Sequence, residues 1–305
     1  MTPRLRAVGL FLLVTLVFGT GFPAVKTGLS FVPPLLFAAA RSYLAAAFLL
    51  IYAAITTEYW YPRSRQDWIS VVAGGLFLIG GTGLGFVGQQ FITAGVAAII
   101  FSLSPVVTAV LAWALLPAER LGGRDYVGVL LGFVGIAVVI RPDPSSLFDP
   151  EIVGKIIFLV GVTVVALGTV LVRRSGSTMP VPALTGWAMV LGGTVHVVFA
   201  FAVGESVASI QPTPLAIAMV VYLSFAVGAV GIVLYLVLLG EVGALKASLT
   251  TYLTPLVALG IGWLLLDEGI QPLALVGFVI ILVGFSLLER RGIAAELARY
   301  RSLFR

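Results

Sequence analysis

Residues Ser102–Glu119, SLSPVVTAVLAWALLPAE, recur near the other end of the chain as Tyr252–Glu268, YLTPLVALGIGWLLLDE. Each stretch is an apolar run of helical length, with a proline near its start and a glutamate just beyond its end. The matching prolines, tryptophans and glutamates of the two stretches are offset by 149 to 150 residues. Because this offset is close to half of the 305 residues, it indicates a duplicated half-protein and not a short solenoid repeat.

The composition is that of a protein in lipid. Hydrophobic residues make up 60% of the chain, charged residues only 10%, and the mean hydropathy is +1.14. A soluble domain has roughly 25% charged residues, so this chain lacks the polar surface that water requires. The chain has no cysteine, which excludes disulfides, cysteine-ligated zinc and thiol nucleophiles.

Ten apolar runs of membrane-spanning length follow one another along the chain. The first is too long for the core of a signal peptide, and runs this long without alternation favour helices over barrel strands. We therefore predict an all-α integral membrane protein with ten transmembrane helices, at about Leu5–Val25, Phe31–Ile55, Trp68–Gly88, Phe91–Leu116, Tyr126–Ile140, Ile152–Val172, Val181–Val203, Leu215–Leu239, Gly243–Leu266 and Pro272–Leu288.

The polar segment RPDPSSLFDPE, residues 141–151, separates the two halves. The predicted organisation is a first five-helix repeat at residues 1–142, a linker at 143–151, a second five-helix repeat at 152–289 and a basic tail at 290–305. Since each half crosses the membrane an odd number of times, the second half starts from the opposite side. The two repeats are therefore expected to be inverted relative to each other.

Basic residues are distributed unequally between the two sides of the predicted topology. With the N-terminus in the cytoplasm, the outer segments contain only Lys26, Arg141 and Lys155. The inner segments contain Arg4, Arg6, Arg63, Arg65, Arg120, Arg124, Arg173, Arg174, Lys246, Arg290, Arg291, Arg299, Arg301 and Arg305. This bias predicts a plasma-membrane or inner-membrane protein with both termini cytoplasmic. It also explains the net charge of +5 without any nucleic-acid partner.

The chain resembles the EamA-type family of the drug/metabolite transporter superfamily over nearly its whole length. The resemblance is carried by the two P-x7-W…E runs quoted above, by FITAGVAAIIFSLSPVVTA at residues 91–109 and by FGTGFPAVKTG at residues 18–28. The family usually has tryptophan at the position of Phe18 and serine at that of Thr20. The resemblance implies ten helices in two inverted repeats, and export or exchange of small organic solutes.

Three polar side chains fall inside or at the edge of predicted spans. Arg41 lies within the second span, where a charge costs roughly 2.5–3.5 kcal/mol on insertion scales. It either binds backbone carbonyls or contacts a substrate. Lys246, five residues after Glu241, is either an exposed ion-pair partner or snorkelling lysine, or a cation of the cavity. His196, the only histidine, either makes helix contacts or relays protons.

Polar residues of the first, third, fourth, sixth, eighth and ninth spans are expected to face the interior of the bundle, since lipid leaves polar groups unsatisfied. Together they predict a central cavity, although helix–helix hydrogen bonding could account for any single one. The predicted substrate-binding residues are Thr20, Arg41, Gln89, Ser104, Thr169, Tyr222, Tyr235, Lys246, Thr251 and Tyr252. Prolines kink helices, so Pro23, Pro105 and Pro255 are predicted to act in gating.

Motifs of enzymatic chemistry are missing from the sequence. There is no Walker A motif, no HExxH and no cluster of His, Asp and Glu with metal-ligand spacing. The glycines of GLGFVG, residues 83–88, lie within one apolar run and not at a strand-to-helix turn, so they do not indicate a dinucleotide site. Carboxylates lie only at helix ends or in loops, which gives a proton or sodium relay no obvious carrier. No catalytic residue, metal or cofactor is predicted.

The sequence thus predicts a transporter, exporting or exchanging amino acids, metabolites or drugs by alternating access. Its expected partners are a small-molecule substrate and membrane lipid. Two alternatives remain at this point: a membrane-embedded enzyme acting on lipid-linked substrates, and a membrane scaffold without transport activity. The substrate, the transport direction, the coupling ion and the oligomeric state, a homodimer included, are left open.

Overall fold

The computed structural model describes residues 3–117, 119, 122–141 and 148–290. Within these ranges the chain is helical, without a strand. The helices are α1 (Pro3–Gly28), α2 (Pro34–Thr56), α3 (Arg65–Gln89), α4 (Ala94–Leu115), α5 (Gly123–Ile140), α6 (Pro150–Ser175), α7 (Val181–Ala202), α8 (Pro214–Val242), α9 (Ala244–Leu266) and α10 (Pro272–Leu288). The predicted tail after Arg290 and most of the predicted linker lie outside the described residues.

Eight of these helices are long and apolar enough to cross a membrane, while α5 and α10 are apolar but shorter. Their outer faces carry large apolar side chains: Ile55, Leu264 and Leu265 are 68–77% exposed. Exposing so large an apolar surface to water would be unfavourable, whereas lipid chains solvate it. The chain is therefore a multi-pass membrane protein.

The helices begin and end within three residues of the predicted spans. The largest differences have local causes. The fourth run was expected to start at Phe91, but α4 starts at Ala94, because the Thr93 hydroxyl caps the helix by accepting from the Val96 N–H at 3.2 Å. The same helix is interrupted by a turn at residues 102–103 and resumes at Ser104, where Pro105 occupies its first turn.

Helices α3 and α8 each contain a π-helical segment, Gly74–Ile79 and Leu223–Val230. The two segments start 149 residues apart, which is the offset of the sequence repeat. Since π-helical turns are rare, their recurrence at equivalent positions shows that the two halves share backbone detail as well as sequence.

Helices α5 and α10, which are equivalent in the repeat, pack against each other through glycines. A Cβ placed on Gly128 would lie 2.6 Å from the carbonyl oxygen of Gly284, and one on Gly135 would lie 2.7 Å from that of Gly277. Only a residue without a side chain permits such an approach. The earlier glycine of one helix meets the later glycine of the other, so the two helices run antiparallel.

Helices α2 and α7 form a second antiparallel pair of equivalent helices. Tyr43 lies against Gly193, while Leu50, two turns later on α2, lies against Gly186, two turns earlier on α7. The order of these contacts along the two helices makes this pair antiparallel, as is the pair of α5 and α10.

The first part of α4 is the most deeply buried segment of the bundle. Ile99, Ile100 and Leu103 have no exposed surface, and they join side chains of α5, α6, α9 and α10 in the largest apolar cluster. The start of α4 therefore lies at the centre of the fold.

Polar contacts join helix ends at two opposite ends of the bundle. At one, the Glu268 end, the Glu268 carboxylate accepts from the Ala94 N–H at 3.0 and 2.9 Å. At the other, the Glu119 end, Glu119 pairs with Arg173 at 2.9 Å. Three further ion pairs join segments that the predicted topology places on one side: Arg6 with Glu241, Arg290 with Asp125, and Lys155 with Glu151.

Candidate functional site

A cavity of about 400 Å³ lies in the middle of the bundle, between helices of both halves. Its walls come from α1, α3, α4, α6, α8 and α9, the six helices predicted from the sequence, and α2 adds Arg41. The lining side chains are mostly apolar or aromatic: Phe18, Phe22, Val25, Phe86, Phe101, Phe158, Val162, Val165, Leu223, Val227 and Tyr235, with Gly21, Gly81, Gly85 and Gly161 between them. The polar residues of the wall are Arg41, Thr82, Gln89, Thr250, Thr251 and Thr254.

Arg41 is the only cation among the described residues that line this cavity. It lies seven residues into α2, about 10 Å from the start of that helix. Its guanidinium carbon lies 5.6 Å from the centre of the Phe86 ring, in cation–π geometry. Its Nε is buried without a hydrogen-bond partner, and its guanidinium forms no ion pair or hydrogen bond with a described residue. The charge is thus supported by an aromatic face, while its donors are left for a ligand.

Three of the hydroxyl groups of the wall, those of Thr82, Thr250 and Thr254, use their protons within their own helix. Thr82 donates to Ile79 O at 2.7 Å, Thr250 to Ala247 O at 2.7 Å and Thr254 to Thr250 O at 2.8 Å. Their oxygens can still accept from a ligand, but they offer it no proton. Arg41 is therefore the only charged donor that the described lining residues offer to an acceptor of the ligand, beside the hydroxyls of Thr251 and Tyr235.

Gln89 closes the cavity on the side of the Glu268 end. Its side chain is buried and donates through Nε2 to the Phe22 carbonyl at 2.7 Å, which joins α3 to α1. Lys26, one turn further along α1, donates to the carbonyls of Gln89, Gln90 and Ile92 at 2.8–3.1 Å. These contacts, together with the Glu268 cap of α4, hold α1, α3, α4 and the residues after α9 together at this end.

Four of the ten predicted substrate-binding residues line the cavity: Arg41, Gln89, Tyr235 and Thr251. The other six do not: Thr20, Ser104, Thr169, Tyr222, Lys246 and Tyr252. The Thr20 and Tyr222 hydroxyls bind each other and join α1 to α8, and Thr169 donates to its own helix at Val165 O. Tyr252 packs with its ring centre 4.3 Å from that of Phe285, away from the cavity.

The phenylalanines of the wall were missed in the sequence. An apolar side chain that faces a cavity gives the same pattern as one that faces lipid or a neighbouring helix, so hydropathy alone does not separate them. A weak signal did exist: Phe18 and Phe22 lie one turn apart in the stretch that carries the family resemblance.

His196 lies among helices and not in the cavity wall. It is 1% exposed, and its Nε2 lies 3.3 Å from the Gly80 carbonyl of α3. A Cβ on Gly83 would lie 2.8 Å from the imidazole Cδ2, so the ring fills the space that this glycine leaves. The position is that of a contact between α7 and α3.

No group of three or more His, Cys, Asp or Glu that could hold a metal ion occurs among the described residues.

The three predicted gating prolines lie in α1, α4 and α9: Pro23 and Pro255 are inside their helices, and Pro105 follows the interruption of α4. These helices meet at the Glu268 end.

Comparison with known proteins agrees with this architecture. The model of the EamA-like transporter family matches the chain twice, at residues 5–141 and 152–290. The uncharacterized transporter YvbV of Bacillus subtilis (strain 168) is 27% identical over 300 residues, which cover 97% of this chain and 95% of YvbV. The uncharacterized inner membrane transporter YedA of Escherichia coli (strain K12) is 26% identical over 81% of this chain and 78% of its own length.

A solved structure titled only as the crystal structure of a protein has the same fold, with a TM-score of 0.62 at 18% identity, over 93% of this chain and 97% of that one. The family match covers both halves and nearly all of the described helices. This chain belongs to the EamA-like transporter family and is a membrane transporter.

Proposed function

We propose that this transporter moves small organic solutes through the central cavity by alternating access between its two five-helix halves. Both halves supply cavity walls, α1 to α4 from the first and α6, α8 and α9 from the second. A site between two repeats, exposed by moving one repeat against the other, is the arrangement on which many secondary transporters rely.

The antiparallel packing of equivalent helices supports an inverted arrangement of the halves. A two-fold axis that runs across α5 and α10, and across α2 and α7, relates a helix entering the membrane from one side to one entering from the other. Helices α5 and α10, at 18 and 17 residues, reach about 26 Å, close to the roughly 30 Å of a bilayer core. We therefore assign all ten helices to the membrane.

The main support for alternating access is that equivalent residues of the two halves contact different helices. Gly19 of α1 packs against Val257 of α9, whereas Gly168, its equivalent on α6, packs against the backbone of Leu78 in α3. Two halves of related sequence can exchange such packing, and each exchange closes one end of the cavity while opening the other.

The equivalent glutamates at the two ends of the cavity also make different contacts. Glu268 caps the start of α4, but the equivalent Glu119 pairs with Arg173. Helix α9 packs against the first part of α4, Ala94–Phe101, without comparable contact to Ser104–Leu115. We assign the structure to a state closed at the Glu268 end, in which the next step separates α9 from the start of α4. The kinks at the three prolines would absorb that movement.

The proposed orientation follows the basic residues. Arg6, Arg63, Arg65, Arg173 and Arg174 lie on helix ends or loops at the Glu119 end, whereas Lys26 and Lys155 lie at the other. The positive-inside rule then puts the Glu119 end and both termini in the cytoplasm of a plasma or inner membrane. The closed end faces outward, so a cytoplasmic solute has access, as expected for an exporter or exchanger.

Counterflow in proteoliposomes tests this proposal. Vesicles that contain purified protein are loaded with one unlabelled solute at a time from a panel of carboxylates, amino acids, amines and neutral solutes, and uptake of the labelled solute is measured without ATP. We expect counterflow of at least one solute, absent from empty vesicles. A folded, monodisperse protein that exchanges none of the panel, and releases product from a lipid substrate instead, would contradict the proposal.

A further inference from the structure

We infer that the ligand of the central cavity is a small organic monoanion, with a carboxylate at Arg41 and an aromatic or branched apolar body along the phenylalanine wall. This inference rests on the proposed function for its physiological meaning, but it concerns binding and is tested separately from transport.

The first argument is the unpaired charge. Arg41 is enclosed by the bundle, lines the cavity and has no ion pair or guanidinium hydrogen bond with a described residue. Lys26, which lies outside the cavity wall beyond Gln89, differs because three carbonyls satisfy its ammonium group. A cation inside the bundle without a partner is unfavourable unless water or a ligand anion pairs with it, and the partly exposed Arg41 side chain is accessible to both. An anion bound in the cavity would therefore pair with Arg41.

The second argument is the geometry of the guanidinium. Its planar group presents donors at the edge, which match the two oxygens of a carboxylate. The guanidinium carbon lies over the Phe86 ring, 5.6 Å from its centre. The ring occupies one side of the group, so a ligand would reach the donors from the cavity that Arg41 and Phe86 both line. The ligand oxygens would therefore be bound in the plane of the guanidinium.

The third argument is the absence of opposite charge. No Asp or Glu is among the described residues that line the cavity. A cationic ligand would find no counter-ion there and would be repelled by Arg41, and a zwitterionic amino acid would leave its ammonium group without an ionic partner. One unpaired arginine matches one negative charge, so a monoanion fits better than a dianion.

The fourth argument is the apolar wall. Phe18, Phe22, Phe101 and Phe158 surround the space beyond Phe86, with valines of α6 and α8 between them. The volume of about 400 Å³ is at the lower end of the roughly 300–1,000 Å³ of small-molecule sites. Such a space suits a body of one or two rings, held by apolar and edge-to-face contacts.

The test uses four ligands of nearly one shape: 3-phenylpropionate, its neutral amide, 3-phenylpropylamine and phenylalanine. Purified wild-type protein is titrated with each, and the shift of its melting temperature is measured, since a ligand of the folded state raises it. We expect a concentration-dependent rise with the carboxylate and at least tenfold weaker binding of the other three. Equal or tighter binding of the amide or the amine would overturn the inference.

Variants assign the effect to the guanidinium. Arg41→Gln should weaken carboxylate binding at least tenfold, and Arg41→Lys should retain part of it, because the charge remains while the planar fork is lost. Arg174→Gln, an exposed arginine outside the cavity, is the matched control and should bind as the wild type. A monodisperse Arg41→Gln protein with unchanged affinity would overturn the assignment to Arg41.

A second readout keeps Arg41 in place, in case its variants fail to fold. Because the chain has no cysteine, Thr251→Cys introduces a single thiol in the cavity wall. We expect 3-phenylpropionate, but not its amide, to slow maleimide labelling of that thiol; equal protection by both would overturn the inference. If 3-phenylpropionate binds but shows no counterflow, the proposal that the protein transports carboxylates is wrong, while the anion-binding site at Arg41 is retained. If the protein carries only amines or amino acids, the inference about the anionic ligand is wrong, while the proposed transport function is retained.

Discussion

Gly128 and Gly284 pack backbone to backbone where α5 crosses α10, and a Cβ on Gly284 would lie 2.6 Å from the Gly128 carbonyl oxygen. Replacing Gly284 by valine should therefore separate the two helices at a cost of roughly 1–3 kcal/mol, the usual range for overpacking. We expect a lower melting temperature and loss of monodisperse protein in size-exclusion chromatography. Gly260→Ala is the control, because nothing lies within 4 Å of its added methyl group. Equal stability of the two variants would contradict the packing described.

The Glu268 cap is predicted to hold the closed end of the cavity. Removal of a cap costs roughly 0.5–2 kcal/mol, so Glu268→Ala should raise access from that end by about 2- to 30-fold. The reporter is Val25→Cys in the cavity wall, labelled by a membrane-impermeant maleimide. Glu205→Ala is the control, since Glu205 caps α2 by accepting from Leu35 N and Leu36 N at 3.0 and 2.9 Å. If both variants label alike, the cap of α4 has no special role in closure.

Closure should also depend on pH. Burial raises the pKa of Glu268 above its ordinary 4.5, and the Ala94 N–H and the Lys26 charge only partly oppose this shift. The Glu268 carboxylate therefore binds a proton more readily when this end is closed than when it is open and solvated. Because protonation favours the closed state, closure is stronger when the pH falls through the raised pKa and weaker when the pH rises above it. The rate of Val25→Cys labelling, taken relative to the same reporter with Glu268→Gln, should increase with pH. A ratio that is constant or falls with pH would contradict this sign.

Gly81 and Gly85 both line the cavity on α3 but differ in the space around them. A Cβ on Gly85 meets only the Phe158 ring at 3.6 Å, whereas one on Gly81 would lie 2.9 Å from Val164 and 3.1 Å from the backbone of Val165. Gly85→Leu should therefore fill the cavity and abolish counterflow with little loss of melting temperature. Gly81→Leu should instead disturb the contact between α3 and α6 and lower the stability. Full counterflow in a folded Gly85→Leu protein would place the solute path elsewhere.

The helices and the repeat could be predicted because lipid imposes a long apolar run on every helix that crosses it. The repeat offset of 149 residues then predicted which helices are equivalent, and the contacts of Gly128 and Gly135 agree with it. The π-helical segments were not predicted, since they depend on backbone geometry that apolar sequence does not specify.

The lining of the cavity could be predicted only in part. Thr20 and Thr251 have the same chemistry and both lie in predicted cavity helices, but the Thr20 hydroxyl binds Tyr222 while Thr251 lines the cavity. A hydroxyl that can bond to its own helix or to a neighbouring side chain need not face the cavity, so the polar pattern overestimates the site. Arg41 could be identified because a charge within a span is too costly to face lipid and must lie in the bundle interior.

A cross-link that locks the closed end tests alternating access most directly. A Cβ on Gly95 would lie 3.4 Å from the Leu259 Cα, so Gly95→Cys with Leu259→Cys places two β-carbons at the short separation of a disulfide, about 3.5–4.5 Å. The chain offers no other cysteine, and the two single variants are the controls. We predict that oxidation of the double variant abolishes counterflow, that reduction restores it, and that oxidation leaves both single variants active. Full counterflow in the cross-linked protein would contradict the account.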